Sequence, residues 1–220
     1  MTTLLNELEA KELLASYGIT TNAGQAVRSP AESADVAAKL GFPVAMKVLS
    51  DKISHKSDLG LVALNISSPD CARGAYDRII TAARAIDPEA TAVVQTMAVP
   101  GREVIVGAKR DPQFGPIVLF GMGGVFVEVF KDVSIRVAPV DRQTAKEMIR
   151  EIKGYKMLTE FRGQKSADID ALADVIVNIS RLIMEREDIM ELDANPVMAY
   201  ESGAVAVDAR VLLKNNNTIR

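Results

Sequence analysis

The sequence predicts an α+β protein whose helices lie on one side of antiparallel sheets. Segments with helical periodicity alternate irregularly with short β-rich segments, and strand–turn–strand patterns occur in both halves of the chain. Four strand segments also follow one another within residues 101–140 without an intervening helix. A single doubly wound parallel sheet requires regular alternation of strands and helices, so these observations favour the α+β class.

Composition indicates a globular protein and excludes several classes of partner. The chain has 220 residues, a net charge of −3 and no basic stripe interleaved with aromatic residues, so we expect no nucleic-acid partner. Its single cysteine, Cys71, excludes an internal disulfide framework and is typical of a reducing compartment. The N-terminus has no secretory signal pattern, and no apolar run reaches the roughly 18 residues of a membrane span. We therefore expect a cytoplasmic protein that does not bind a membrane.

Capping and stop signals predict three helices in the first half of the chain. An amphipathic segment, Leu4–Tyr17, is followed by a glycine that ends it. Ser29-Pro30-Ala31-Glu32 is a capping box with proline at the first helical position, and the helix that it begins ends at Gly41. Ser68 begins the third helix, which runs to about Ile86. Strands are predicted at residues 21–27, 44–49, 62–66 and 91–97.

A turn signal at Ala98-Val99-Pro100-Gly101 marks a candidate hinge. It divides the chain into residues 1–97, which include a long polar loop at 50–60, and residues 98–220. The second part contains four strands, a helix from Asp141 to about Lys153, an irregular segment, a long helix that begins at Ser166 or Asp168, and a last hairpin. The four strands are Glu103–Ala108, Ile117–Gly121, Val125–Phe130 and Ser134–Pro139.

The glycine-rich segment Gly121-Met122-Gly123-Gly124 joins the second and third of these strands. Glycines allow positive φ and leave backbone N–H groups uncovered, as in loops that close over phosphate oxygens. A P-loop or a dinucleotide fingerprint requires a helix directly after the glycines, but here a predicted strand follows and no Gly-Lys-Ser/Thr is present. The segment is therefore either an ordinary glycine-rich hairpin or a phosphate-binding loop between antiparallel strands.

The last hairpin brings three oxygen-bearing side chains to one place. Its turn at residues 201–203 puts Asp208 opposite Asn195 or the next residue. Asp193 leaves the same strand face as Asn195, because the two are two positions apart. Hard oxygen donors without histidine or cysteine are the ligands that Mg²⁺ prefers. The alternative is a polar strand face open to solvent, although an unpaired carboxylate in an apolar strand is costly.

Two further side chains are candidates for phosphate chemistry. Lys47 lies in an otherwise apolar strand and needs an anion, either a nucleotide phosphate or a structural carboxylate. His55 is the single histidine and lies in the polar loop after that strand. A lone histidine is often an ordinary surface or core residue, but histidine also acts as a nucleophile toward phosphorus, and Lys56 is positioned in sequence to stabilise phosphoryl charge.

Six short motifs follow one another along nearly the whole chain. They are Phe42-Pro43-Val44-Ala45-Met46-Lys47, Ser54-His55-Lys56-Ser57-Asp58-Leu59-Gly60, Pro100-Gly101-Arg102-Glu103-Val104-Ile105-Val106-Gly107, Phe120-Gly121-Met122-Gly123-Gly124, Glu191-Leu192-Asp193-Ala194-Asn195-Pro196 and Ala206-Val207-Asp208-Ala209-Arg210. In this order they resemble the motifs of one ATP-grasp family, the β subunits of NDP-forming acyl-CoA synthetases, especially of ADP-forming acetyl-CoA synthetase. The β subunit of succinyl-CoA synthetase is similar to a lesser degree.

The resemblance implies an ATP-grasp fold of two lobes, with the nucleotide clamped between antiparallel sheets, and it implies ATP or ADP and Mg²⁺ as cofactors. It also implies a role for each candidate residue. These roles are α/β-phosphate binding for Lys47, adenine contact for Gln95 to Met97, ribose contact for Glu103, a place near the phosphates for Gly121, Gly123, Gly124 and Arg136, and Mg²⁺ ligation for Asp193, Asn195 and Asp208.

The resemblance further implies that His55 takes a phosphoryl group from a phosphohistidine on a partner subunit and passes it to ADP. The reaction would be acyl-CoA + ADP + phosphate ⇌ acid + ATP + CoA. Because the chain has no second histidine and no CoA-binding Rossmann-type pattern, an α subunit is expected to supply CoA binding and the first phosphohistidine, usually in an α2β2 heterotetramer. Two alternatives are an ATP-grasp regulatory module of a protein acetyltransferase fusion and a non-catalytic nucleotide-binding subunit.

Overall fold

The computed structural model describes residues 2–53, 56, 58–124, 132–159 and 165–214. The helices are α1 (Glu7–Ser16), α2 (Pro30–Leu40), α3 (Pro69–Ala83), α4 (Arg142–Glu151), α5 (Tyr155–Leu158) and α6 (Ile169–Glu185). The strands are β1 (Thr2–Leu4), β2 (Gly24–Val27), β3 (Val44–Leu49), β4 (Val62–Ile66), β5 (Thr91–Thr96), β6 (Arg102–Asp111), β7 (Gly115–Met122), β8 (Val133–Val137), β9 (Ile189–Ala199), β10 (Ala204–Ala206) and β11 (Ala209–Lys214). The predicted strand Val125–Phe130 lies outside the described residues.

Helices begin where the sequence predicts caps. The side chains of Ser29, Ser68, Asp141 and Asp168 each accept a hydrogen bond from the backbone N–H three residues later. The start of the long helix, left open between two residues, is therefore set by Asp168. Within the described part of the chain, the helices are too short or too polar to cross a membrane.

The chain forms two compact units. The minor unit is Asn22–Val99, and the major unit combines Met1–Thr21 with Pro100–Arg220. The predicted boundary at residues 97/98 lies close to the second junction, but the first 21 residues join the major unit instead of the N-terminal part. They do so because β1 pairs with β11 and because Leu14 and Ile19 lie in the core of the major unit.

The major unit is built on an antiparallel sheet with the order β1-β11-β9-β6-β7-β8, and β10 pairs with β9 as well. Helices α4 and α6 pack on one face of this sheet, against buried side chains such as Val104, Val118 and Phe120. Side chains alternate between the two faces of a strand, so Glu103, Gly107 and Asp193 belong to the opposite face.

The minor unit has a four-stranded antiparallel sheet with the order β2-β5-β3-β4. Helices α2 and α3 pack on the face that carries Val44, Met46 and Val94. The other face carries the alternating residues, which include Lys47 and Gln95. Both units thus have the predicted α+β arrangement, with helices on one side of an antiparallel sheet.

Candidate nucleotide and metal site

Lys47 and Gln95 lie on the same face of the minor unit's sheet. Ala45 pairs with Gln95 and Lys47 pairs with Val93, and directly paired residues share a face. Both polar side chains are buried: Lys47 is 7% exposed and Gln95 is fully covered. Met97, half-buried, follows directly after the end of β5. The structure therefore brings Lys47 and Gln95, which are predicted to contact phosphate and adenine, to one face of this sheet.

Neighbouring small and polar residues hold Gln95 in place. Asn22 donates its side-chain N–H to the Gln95 Oε1 atom at 3.4 Å and to the Thr96 carbonyl at 2.9 Å. Gly24 lies directly opposite Gln95, and a Cβ atom at Gly24 would come within 2.9 Å of the Gln95 Cγ atom. Sequence reasoning missed both Asn22 and Gly24, because their role depends on a strand about 70 residues away in sequence.

Glu103 lies beside the glycine segment in the major unit. The backbone N–H of Gly123 donates to the Glu103 carbonyl at 2.7 Å. A Cβ atom at Gly123 would be 2.9 Å from the backbone carbon of Glu103, and one at Gly124 would be 3.3 Å from its Oε2 atom. Gly124 also has a φ of +63°, which favours glycine. Glycine is thus required at 123 by its close packing on the Glu103 backbone and is favoured at 124 by its positive φ.

Gly121 has a separate packing role. It pairs with Val133 on β8, and a Cβ atom there would lie 2.7 Å from the Asp132 carbonyl oxygen. Asp132 in turn accepts the backbone N–H groups of Lys153 and Gly154 at 2.7 and 2.6 Å. These contacts join the end of β7, the start of β8 and the turn between α4 and α5.

Arg136 lies on the helix-covered face of the major sheet. It pairs with the core residue Val118, and its guanidinium forms an ion pair with Glu151 of α4. Ser134 donates to the second oxygen of the same carboxylate at 2.9 Å. Because Glu103 and Asp193 belong to the opposite face of the sheet, the structure does not bring Arg136 together with them.

Of the two registers predicted for the last hairpin, the one that puts Asp208 opposite Asn195 is correct. Ala209 pairs with Ala194, and the Asn195 N–H donates to the Asp208 carbonyl at 3.2 Å, so Asp208 lies opposite Asn195. Asp193 lies on the same strand face as Asn195, opposite Arg210. The two carboxyl groups are close enough that Asp208 raises the pKa of Asp193.

Asp193 is the most strongly perturbed carboxyl group of this hairpin. Burial is the main cause that raises its pKa from 3.8 to about 6, and the negative charge of Glu191 adds to the effect. Arg210 acts in the opposite direction, but it also forms an ion pair with Glu191 at 2.8 Å. A partly buried carboxylate whose charge is this poorly compensated is suited to a bound cation.

A glycine lies directly beside Asp193 on the neighbouring strand. Gly107 pairs with Asp193 across β6 and β9, and a Cβ atom there would lie 3.5 Å from the Asp193 Oδ1 atom. Two carboxylates and one amide oxygen fit a partly hydrated Mg²⁺ ion, which completes its shell with water and phosphate oxygens. Among the described residues there is no group of three or more His, Cys, Asp or Glu side chains that would hold a metal by themselves.

His55 lies outside the described residues, as do Ser54 and Ser57. The residues on either side of them are described. Ile53 and Leu61, at 3% and 1% exposure, are buried in the apolar core of the minor unit.

Comparisons with known proteins identify relatives of this chain. A family described as the ATP-grasp domain matches residues 1–213. The β subunit of acetate–CoA ligase [ADP-forming] I from Pyrococcus furiosus is 49% identical over 212 residues, which make up 95% of this chain and 91% of that subunit. Acetate–CoA ligase [ADP-forming] I from Archaeoglobus fulgidus is 45% identical over 208 residues, which make up 93% of this chain and 30% of that longer protein.

Solved structures of dinucleotide-forming acetyl-coenzyme A synthetase 1 from Ca. Korarchaeum cryptofilum are also similar. The complex of that protein with coenzyme A, Ca-AMPCP and HgCl⁺ has a TM-score of 0.93 and 46% identity, and the match covers 96% of this chain and 94% of that one. Its complex with coenzyme A and Mg-AMPPCP has a TM-score of 0.85, 45% identity and coverage of 96% and 93%. In that complex the phosphohistidine segment points towards the nucleotide-binding site.

Proposed function

This chain belongs to the ATP-grasp β subunits of the ADP-forming acetate–CoA ligases, and from this premise we propose how it works. The comparisons confirm the predicted family, fold and enzyme class. The proposed function is to bind ADP or ATP with Mg²⁺ and to exchange a phosphoryl group between the nucleotide and His55. Acyl-CoA, ADP and phosphate are then converted reversibly into the free acid, ATP and CoA.

The observation that carries the proposal is the carboxylate pair of the last hairpin. Asp193 is partly buried, has a pKa raised to about 6, and lies on the strand face beside Asn195, whose partner is Asp208. We assign Mg²⁺ ligation to these three side chains. When bound there, the ion would neutralise phosphate charge.

Nucleotide contacts are assigned within each unit. In the minor unit, Lys47 would pair with the α- and β-phosphates, while Gln95 and Met97 would contact the base. The buried Lys47 ammonium group is suited to this because a cation removed from water binds an anion more strongly. In the major unit, Glu103 would accept hydrogen bonds from the ribose.

The glycines are assigned two roles. Gly123 and Gly124 lie against Glu103, so their backbone is placed beside the proposed ribose contact. Gly121 allows the end of β7 to pack closely on the start of β8. Arg136 is assigned no phosphate contact, because it is paired with Glu151 on the helix-covered face.

The phosphoryl step at His55 is a displacement at phosphorus. In the direction of ATP synthesis, a terminal oxygen of ADP attacks the phosphorus atom, the N–P bond to the imidazole breaks, and the imidazole nitrogen keeps the electron pair. Lys47 would compensate the negative charge that accumulates on the phosphates.

The β-subunit class implies a partner α subunit, and the threefold longer relative from Archaeoglobus fulgidus fits a fused form of the two. We propose that this partner carries the CoA site and the first phosphohistidine, and that the assembly is α2β2. The acyl group would be recognised on the partner.

The test is co-expression with the α subunit, followed by measurement of ATP formation from acetyl-CoA, ADP and phosphate in the presence of Mg²⁺. We expect activity only from the assembled pair. Incubation with γ-³²P-ATP should give an acid-labile label on the wild-type β chain and none on His55→Ala. ATP formation by an assembled enzyme that carries His55→Ala would refute the role of His55. ATP formation by the α subunit without this chain would show that this chain is a non-catalytic subunit.

A further inference from the structure

Asp193 has different neighbours on its two sides. On β6 it pairs with Gly107, and on β11 it pairs with Arg210. Residues that pair directly across antiparallel strands have Cβ atoms about 4.5–5.5 Å apart and project from the same face. Because glycine has no side chain, Arg210 is the residue whose side chain leaves the sheet directly beside Asp193, on the face to which we assign Mg²⁺ ligation.

The guanidinium of Arg210 is held by a carboxylate other than Asp193. Its Nη1 atom donates to the Glu191 Oε1 atom at 2.8 Å. Glu191 is two positions before Asp193 on β9, so the two carboxylates leave the same face. The Arg210 and Glu191 side chains are 50% and 47% exposed, so water screens their ion pair and it contributes little to stability. Exchange of this carboxylate for a stronger anion therefore costs little.

Glu191 would keep a cation nearby if Arg210 turned away from it. Lys109 on β6 pairs directly with Glu191, and the lysine is exposed. The two residues share a face at the short separation of paired strand positions. Glu191 thus lies between a lysine on one neighbouring strand and an arginine on the other, so its charge does not depend on Arg210 alone.

The guanidinium of Arg210 can bind a second anion. It carries N–H donors in a planar fork that fits two oxygens of a phosphate group. In the part of the chain that the structure describes, Arg210 donates one hydrogen bond, to Glu191. That bond engages a single N–H group and leaves the other donors of the fork for another ligand.

The balance of charge around Asp193 indicates what that ligand is. The cluster contains three carboxylates and two cations, namely Glu191, Asp193, Asp208, Lys109 and Arg210. The charge of Arg210 reaches Asp193, where it lowers the pKa against the effect of burial. The same charge repels a cation bound to Asp193. A bare divalent ion would leave the cluster with excess positive charge, whereas an ion that arrives with nucleotide phosphates would not.

We propose that Arg210 is a phosphate-contacting residue of the nucleotide and metal site, and that it makes this site bind Mg²⁺ with nucleotide phosphate in preference to the bare ion. The inference rests on the proposed ligation of Mg²⁺ by Asp193. In the ligand-free chain the guanidinium is paired with Glu191. When the nucleotide binds, the guanidinium donates to phosphate oxygens, which are the stronger acceptors.

The experiment measures two dissociation constants and the unfolding midpoint of the purified 220-residue chain. The Kd for ADP is measured by calorimetry at saturating Mg²⁺, and the Kd for Mn²⁺ alone by the loss of the EPR signal of the free ion. The variants are Arg210→Gln, which removes the charge, and Arg210→Lys, which keeps the charge without the fork. The matched control is Arg142→Gln, because Arg142 has a similar exposure of 54% and pairs with Asp174 on the helices of the same unit.

The two constants should change in opposite directions. Arg210→Gln should raise the Kd for ADP about tenfold, because the phosphates lose a charge-assisted hydrogen bond. It should lower the Kd for Mn²⁺ alone about threefold, because a repelling charge is removed. Arg210→Lys should keep the wild-type Kd for Mn²⁺ and have an intermediate Kd for ADP, and Arg142→Gln should match the wild type in both. General damage to the fold would instead weaken both ligands.

Each other outcome has a definite meaning. An Asp193→Asn chain that binds Mg²⁺ and ADP like the wild type would overturn the proposed ligation and this inference with it. If Asp193→Asn loses the response to Mg²⁺ but Arg210→Gln binds ADP normally, the inference alone is overturned. It is also overturned if Arg210→Gln weakens both ligands and lowers the unfolding midpoint, because its role would then be structural. If neither chain binds Mn²⁺ alone, the Kd for ADP at an unchanged unfolding midpoint decides.

Discussion

Replacement of Asp193 by asparagine should make the ligand-free chain more stable while it abolishes the response to Mg²⁺ and ADP. Asparagine keeps the size of the side chain and removes its charge. The partly buried carboxylate is a site where the folded protein accepts an unfavourable charge, since burial and Glu191 both raise the pKa of Asp193. A stabilising substitution at a ligand-binding residue is the expected result of that arrangement.

The size of the effect follows from the pKa. A rise from 3.8 to about 6 is about 2 pKa units, and at 1.36 kcal/mol per unit the ionised form costs the folded state at most about 3 kcal/mol. Because the pKa is raised on folding, the folded state favours the protonated carboxyl group. The cost is therefore fully present above about pH 6 and disappears below about pH 4, so the gain from Asp193→Asn should follow the same course.

The assay is urea unfolding of the chain in EDTA at pH 7.5 and at pH 4, with Asp70→Asn as the control. The Asp70 side chain is 93% exposed, so its removal should change the free energy of unfolding little at either pH. Addition of Mg²⁺ and ADP should raise the unfolding midpoint of the wild type and of the control, but not that of Asp193→Asn.

Two results would refute this reasoning. If Asp193→Asn lowers the free energy of unfolding at pH 7.5, the carboxylate is stabilised by its surroundings and burial does not dominate its pKa. If the stability difference is the same at both pH values, it does not arise from the charge of Asp193.

Three further substitutions test other parts of the site. Lys47→Met should raise the Kd for ADP at least tenfold in calorimetric titration, because the phosphates lose a buried cation, and an unchanged Kd would exclude the phosphate role. Gly123→Ala should lower the free energy of unfolding by about 1–3 kcal/mol, because the new methyl group meets the backbone of Glu103, whereas Gly74→Ala, with open space around it, should not. Asp132→Ala should lower the free energy of unfolding in urea by about 2–4 kcal/mol, because the backbone N–H groups of Lys153 and Gly154 lose their acceptor. An unchanged free energy of unfolding would show that water replaces the carboxylate.

The last hairpin was predictable because local rules determine it. Once the turn was placed at residues 201–203, counting outward put Asp208 opposite Asn195 or the next residue, and the strand period put Asp193 on the same face as Asn195. Helix starts were predictable for a similar reason, since a cap depends on residues three positions apart.

Features that depend on distant parts of the chain were not predictable. The predicted helix Leu4–Tyr17 begins as strand β1, because Thr2–Leu4 pairs with residues 212–214 at the other end of the chain. The apolar face of this amphipathic segment is also incomplete, since Glu7 and Lys11 are buried on α1 as an ion pair. No local sequence pattern predicts that a buried ion pair will replace part of the apolar face of a helix.

The sheet face on which Arg136 lies could not be predicted for a different reason. Alternation along β8 indicates that it shares a face with Ser134, but the sequence does not say which face of the sheet the helices cover. The ion pair with Glu151 answers that question. No local sequence pattern predicts the contacts of Asp87. An aspartate before a proline is typical of a turn, and the hydrogen bonds that Asp87 accepts from Ser50 and Lys52 form only when the strands are in place.

The minor unit begins and ends at neighbouring positions. Gly24 pairs with Gln95, and the Ala23 carbonyl accepts the N–H of Thr96 at 2.9 Å, so the strands that enter and leave the unit run side by side. Residues 22–99 are therefore a cassette, that is, a compact unit inserted between two segments of the major unit. A gene in which this cassette is exchanged for that of a relative, or replaced by a few glycines and serines, should leave the host scaffold able to fold, so the two units can be engineered separately.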